Sequence, residues 1–159
     1  RSIWVTGVQT CALPISLCGA QWPDSTCEER FWECLVLEFD LQQAYGTVHH
    51  LTVPSYMLQH NLYSAFGWLP VAKLLSDFVS GRTTPMQVRA DVHGSPAPTG
   101  QRRSIVKGEK FAGFGTIAWT RTIADVRLTD AEEYCSDVRL WAKSIVADID
   151  RAGIELPRG

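Results

Sequence analysis

The sequence contains no apolar run approaching the roughly 20 residues that a membrane-spanning helix needs. It also lacks an excess of positive charge, because 15 Lys and Arg residues stand against 17 Asp and Glu residues, for a formal net charge of -2. Domains that bind nucleic acid usually carry a basic surface. We therefore expect neither a membrane span nor a nucleic-acid partner.

Complete catalytic motifs are missing as well. The chain has no Gly-x-Ser-x-Gly elbow, no His-Glu-x-x-His pair and no glycine-rich loop of the kind that binds phosphate. It has neither an internal repeat nor a low-complexity tract. The sequence therefore predicts no particular reaction.

The N-terminal segment is unusual. Residues 5–15, Val-Thr-Gly-Val-Gln-Thr-Cys-Ala-Leu-Pro-Ile, resemble the translation of a sequencing-library adapter. We therefore expect residues 1–16 to be an artefactual leader, and residues 17–159 to form a single domain of ordinary size. Four cysteines lie outside the leader, and nothing else resembles a secreted disulfide framework, so we expect a reduced, cytoplasmic protein.

The hydrophobic periodicity predicts a mainly α domain of about four helices. The first helix is expected over residues 26–39, begun by a Ser25–Glu28 capping box, with Phe31, Trp32, Cys34, Leu35 and Phe39 facing the core. The second is expected over residues 44–60, and it either kinks at Pro54 or restarts there.

Two further helices complete this prediction. The third is expected over residues 70–80, with Pro70 in its first turn. A loop-rich segment from residue 82 precedes the last helix, which is expected to begin at a Thr129–Glu132 capping box.

Several short strings occur together in this order: Cys-Gly-Ala at 18–20, Thr-Cys-Glu-Glu-Arg-Phe at 26–31, His-His-Leu-Thr-Val at 49–53, Tyr-Met-Leu-Gln-His at 56–60 and Thr-Ile-Ala-Asp-Val at 122–126. In this the chain resembles an uncharacterised bacterial family, a domain of unknown function. The resemblance implies no reaction or substrate. It does imply an N-terminal Cys-x-x-Cys-Gly knuckle, whose second half matches Cys18-Gly19. The first cysteine would fall at position 15, where this chain has Ile15.

Cysteine and histidine are the usual ligands of zinc. The candidate ligands are Cys18, Cys27, His49, His50 and His60. His50 and His60 are ten residues apart, about 15 Å along a straight helix, so they cannot share one ion unless Pro54 folds the segment. We favour Cys18, Cys27 and His50 over a set containing His60. The alternative is that the cysteines are buried thiols and the histidines only form hydrogen bonds.

Three functions remain open. The first is a structural zinc-binding domain. The second is a small metal-dependent hydrolase or transferase, and a related hypothesis pairs His49 or His50 with Glu38 or Asp125 for acid–base catalysis. The third is a metal-free helical module that binds a protein partner, whose identity the sequence does not indicate.

Overall fold

The computed structural model describes residues 17–20, 25–94 and 104–157. Within these ranges the chain forms five α-helices and no β-strand, so the predicted mainly α, single small domain is confirmed. The helices are α1 (Cys27–Asp40), α2 (His49–Gln59), α3 (Ala65–Val79), α4 (Pro85–Gly94) and α5 (Ala131–Arg151). Short 3-10 turns occupy Gly46–Val48, Ala112–Thr116 and Ile123–Asp125. The expected leader lies outside the described residues.

Two of the predicted helix starts are wrong by one residue. At α1 the N-cap is Thr26, whose hydroxyl accepts from the Glu29 amide while the Glu29 carboxylate accepts from the Thr26 amide. Ser25 only supports this pair, through a 3.2 Å hydrogen bond to the same carboxylate. At α5 the cap is Asp130 and not Thr129, because the Asp130 carboxylate reaches two orphan amides at once.

The third helix begins earlier than predicted. Ser64 caps α3 by accepting from the Gly67 amide, so Pro70 lies inside the helix and not in its first turn. The first turn of α3 packs against the backbone of Ile105. A β-carbon at Gly67 would lie only 2.5 Å from the carbonyl oxygen of Ile105. Glycine is therefore required there for close approach of the two backbones.

The fourth helix lies in a segment that was expected to be a loop. Thr84 and Gln87 form a reciprocal capping pair, with bonds of 2.8 and 3.3 Å, and Pro85 occupies the first helical position. In the second helix, Pro54 lies within one element that starts five residues earlier, so the predicted restart at Pro54 is wrong.

The core is built where α2, α3 and α5 pack against one another. Its largest fully buried side chains include Trp68, Trp141, Leu58, Leu75 and Ile145. The predicted core face of α1 is partly wrong, since Trp32 and Phe39 are 58% and 59% exposed. The buried face contains Cys34, as predicted, together with Cys27 and Glu38.

Polar bonds fix the segment before α5 to this core. The Gln59 side chain donates to the Arg121 carbonyl at 2.6 Å and accepts from the Trp141 indole at 2.9 Å. The buried carboxylate of Asp148 accepts from the Thr120 amide at 2.8 Å. Among the described residues, no helix combines the length and the apolar character needed to cross a membrane.

Candidate metal centre

Three potential metal ligands meet at the N-terminal end of α1. One ligand atom each from Cys18, Cys27 and His60 lies within 4.8 Å of the others, and the two sulfurs are 3.6 Å apart. The three residues are between 4% and 8% exposed. Two thiols and an imidazole are thus held together in a buried space.

Cys27 owes its place to the start of α1, of which it is the first residue. The partial positive charge at a helix N-terminus favours an anionic side chain, so this position favours the thiolate form of a cysteine. Cys18 comes from the preceding segment, next to Gly19, whose φ of 80° lies in the left-handed region.

His60 is placed by the way in which α2 ends. Asn61 adopts a φ of 49°, the Leu62 amide bonds to the Met57 carbonyl, and the Asn61 amide bonds to the Leu58 carbonyl. This is a Schellman motif with asparagine at the left-handed position. It stops α2 at His60 and leaves that side chain at the helix end.

The imidazole of His60 is oriented by two contacts. Its Nδ1 donates to the Tyr56 carbonyl at 2.8 Å, and its ring stacks on Tyr56, which in turn stacks on Phe31 at 3.9 Å. A hydrogen bond from one ring nitrogen to a carbonyl is the usual support of a metal-binding histidine, because it directs the other nitrogen to the metal.

The other ring nitrogen of His60, Nε2, is the clearest indication that the cluster binds a cation. It is buried and has no hydrogen-bond partner among the described residues. Leaving a buried polar group unsatisfied costs about 1–3 kcal/mol. A cation bound beside the two sulfurs would satisfy Nε2.

The spacing of the sulfurs also fits zinc. Zn–S bonds of about 2.3 Å at the tetrahedral angle place two sulfurs about 3.8 Å apart, close to the observed 3.6 Å. A disulfide would require a separation of about 2.05 Å.

The tyrosine beside the cluster is also buried. Desolvation, and then the negative charges of Glu28 and the two cysteines, raise the pKa of the Tyr56 hydroxyl to about 12.

The structure places His60, and not the preferred His50, beside the two cysteines. Phe31 contacts Tyr56, and Glu38 contacts His49, so α1 and α2 run antiparallel. Continuing that register outward by one helical turn brings Cys27 to His60. His50 lies near the other end of α2, where its ring meets Phe78 at 5.0 Å.

His49 belongs to a different cluster, around Glu38. The buried Glu38 carboxylate accepts from His49 Nδ1 at 2.6 Å, from the Tyr134 hydroxyl at 2.7 Å and from the Thr52 hydroxyl. Of the two carboxylates considered for acid–base catalysis, the structure brings Glu38 to a histidine. Asp125 is exposed and caps a 3-10 turn by accepting from the Thr122 amide.

The chain is a small helical domain with a buried cluster of two cysteines and one histidine. The model of the Family of unknown function (DUF5946) matches residues 14–150, and the chain belongs to that family. The expected membership of an uncharacterised family is thereby confirmed. No curated protein and no solved structure matches the chain significantly.

Proposed function

We propose that Cys18, Cys27 and His60 bind a zinc ion and that this ion fastens the N-terminal segment to α1 and α2. The single observation that carries the proposal is the buried Nε2 atom of His60, which has no hydrogen-bond partner in the described part of the chain and shares a space with two cysteine sulfurs. Thiolate and imidazole together are typical zinc ligands.

The burial of the three ligands favours a structural ion over a catalytic one. A catalytic zinc keeps one position open to water and substrate, whereas a structural zinc is enclosed by four protein ligands. Here the ligand residues are at most 8% exposed. The resemblance stated above supplies a fourth ligand at position 15, where this chain has Ile15. We therefore propose that this chain has three of the four protein ligands.

The functional role that follows is stabilisation of the domain. Zinc that binds only the folded state adds free energy of unfolding, about 2.7 kcal/mol when its free concentration is one hundred times its dissociation constant. The ion joins the segment before α1 and the first residue of α1 to the end of α2, so it restrains the entry into α1 and the end of α2 together. The metal-dependent hydrolase or transferase is the alternative function, and a coordination position that both water and a substrate can reach would favour it.

The first test is elemental mass spectrometry of the purified full chain, prepared under reducing conditions without chelator. We expect about one zinc per chain, and loss of that zinc together with a lower melting temperature in Cys18→Ser, Cys27→Ser and His60→Ala. His50→Ala is the matched control, because His50 lies away from the cluster. Zinc retention by His60→Ala, or equal zinc loss from His50→Ala, would refute the assignment.

A second variant tests the fourth position. Ile15→Cys should tighten zinc binding in a competition titration against a chromophoric chelator, because a fourth thiolate completes the tetrahedron. Ile15→Ser serves as its control, since it changes the same residue without adding a thiolate. Equal zinc affinity in both variants and in the parent chain would exclude residue 15 as the fourth ligand while leaving the three-residue site intact.

A further inference from the structure

A second site lies toward the beginning of α2. A cavity of about 280 Å³ opens where that end of the helix meets the last turns of α3 and the middle of α5. Its polar wall is formed by Thr47, His50, Arg139 and Lys143. Leu51, which is 6% exposed, and Phe78 supply apolar surface to the same cavity.

All the ionisable side chains that line this cavity are basic. Arg139 and Lys143 are four residues apart on α5, so they share one face of the helix and repel each other. Neither forms an ion pair with any described carboxylate, although Arg30, Lys73, Arg82, Arg127 and Arg151 all do. On a chain of net charge -2, this pair produces a local positive field without an internal counter-ion among the described residues.

The same positive charge affects the pKa of His50. Burial, and next the charge of Arg139, hold the pKa of His50 below its ordinary value. The imidazole is fixed edge-on against Phe78, with ring centroids 5.0 Å apart. An anion bound to Arg139 would relieve the repulsion that now opposes a positive charge on the His50 ring.

The size and the mixed lining of the cavity restrict the ligand further. Taking about 30 Å³ for each water-sized group, the cavity holds roughly nine such groups, which exceeds an inorganic anion alone. The apolar surface of Leu51 and Phe78 favours a ligand with an uncharged part as well. Val79 and Lys143 also line a neighbouring groove that carries Asp150 and Glu155, whose charges would repel an anion there.

We infer that this cavity binds a small organic anion, a phosphate monoester or a carboxylate. Its charged group would lie between Arg139 and Lys143, and its uncharged part would contact Leu51 and Phe78. Guanidinium and ammonium groups both recognise phosphate and carboxylate oxygens, and the guanidinium does so through two parallel hydrogen bonds. The inference is independent of zinc, since none of these residues belongs to the Cys2His cluster.

Isothermal titration calorimetry of the full chain at low ionic strength tests this inference. The probes are phenyl phosphate, benzoate, inorganic phosphate and the uncharged benzyl alcohol. The test variant is the double substitution Arg139→Gln and Lys143→Gln. The control is Arg89→Gln with Lys107→Gln, which removes the same charge from residues that are exposed, as Arg139 and Lys143 are, but do not line the cavity.

We expect saturable binding of phenyl phosphate or benzoate, weaker binding of inorganic phosphate and none of benzyl alcohol. The test variant should lose at least tenfold in affinity, and the control should change less than twofold. The aromatic anion that binds more tightly identifies the charged group. Absence of saturable binding by both aromatic anions, or an equal loss in the control variant, would overturn the inference.

Discussion

The buried cysteines of the described residues differ in how readily their surroundings allow the thiol to ionise. Cys34 is fully buried on the inner face of α1, and burial raises the pKa of its thiol to about 12. Cys18 and Cys27 sit beside an imidazole nitrogen and, for Cys27, at a helix N-terminus. Burial suppresses the thiolate of Cys34, whereas the position at a helix N-terminus favours the thiolate of Cys27.

These environments predict a pattern of alkylation by iodoacetamide at pH 8. With a pKa near 12, only about one Cys34 in ten thousand is a thiolate at that pH, and its side chain is also inaccessible. We expect Cys34 to remain unlabelled in the folded protein with and without zinc, and Cys18 and Cys27 to become labelled once a chelator removes the metal. Peptide mass spectrometry would measure each site separately.

Unfolded protein provides the control for that experiment, because all cysteines should then react alike. Labelling of Cys34 in the folded chain as fast as Cys18 would contradict its assignment as an inert core thiol. Labelling of Cys18 and Cys27 that does not depend on chelator would argue against the proposed zinc site.

At the scale of the helices, the first turns show how closely side-chain capping fixes a boundary. Asp130 accepts from the amides of Glu132 and Glu133 at 2.9 and 3.1 Å, while Thr129 stands one residue outside the cap. One carboxylate oxygen, Oδ1, accepts from both orphan donors, and the negative charge also complements the helix dipole. The start of α5 therefore depends on Asp130.

Substitution at these two neighbours should separate their contributions. We expect Asp130→Ala to lower the free energy of unfolding by about 1 kcal/mol, which corresponds to roughly 2–4 °C in melting temperature for a domain of this size. Thr129→Ala is the matched control and should change stability by less than about 0.5 kcal/mol. Thermal denaturation followed by circular dichroism measures both, and a larger effect at Thr129 would restore the original prediction of the cap.

The same helices show what the sequence could and could not predict. The helical class and the buried face of α5 could be predicted from the sequence, because its apolar residues repeat at helical spacing. These residues, Tyr134, Val138, Trp141, Ile145 and Ile149, are all buried. The capping register could not be predicted, since Ser25 and Thr26 each have a glutamate three residues later. The fourth helix had a readable signal in Thr84, Pro85 and Gln87.

The choice between His50 and His60 needed information from two elements at once. Spacing along α2 correctly separates the two histidines, but it does not say which end the cysteines approach. The proximity of His60 to the cysteines follows from the antiparallel pairing of α1 with α2, in which Phe31 meets Tyr56 and Glu38 meets His49. Glu38 was also hard to place in the core from the sequence, because its burial depends on donors from α2 and α5.

At the scale of the whole molecule, the proposed zinc site lies at the edge of the core and not within it. The centre is the packing of α2, α3 and α5, where Trp68 and Trp141 are fully buried. Of the three proposed ligands, only His60 comes from this group, and it does so at the last turn of α2. Helix α1 keeps a second attachment through the three hydrogen bonds of Glu38.

This arrangement predicts that removal of the metal opens one end of the molecule without unfolding it. After chelation we expect faster amide hydrogen exchange at the start of α1 and the end of α2, unchanged protection within α5, and a lower melting temperature. Exchange measured by mass spectrometry resolves these segments, and His60→Ala should reproduce the chelated pattern without chelator. If chelation removed the protection of α5 as well, the metal would be required for the whole fold, and the core of α2, α3 and α5 could not be stable by itself.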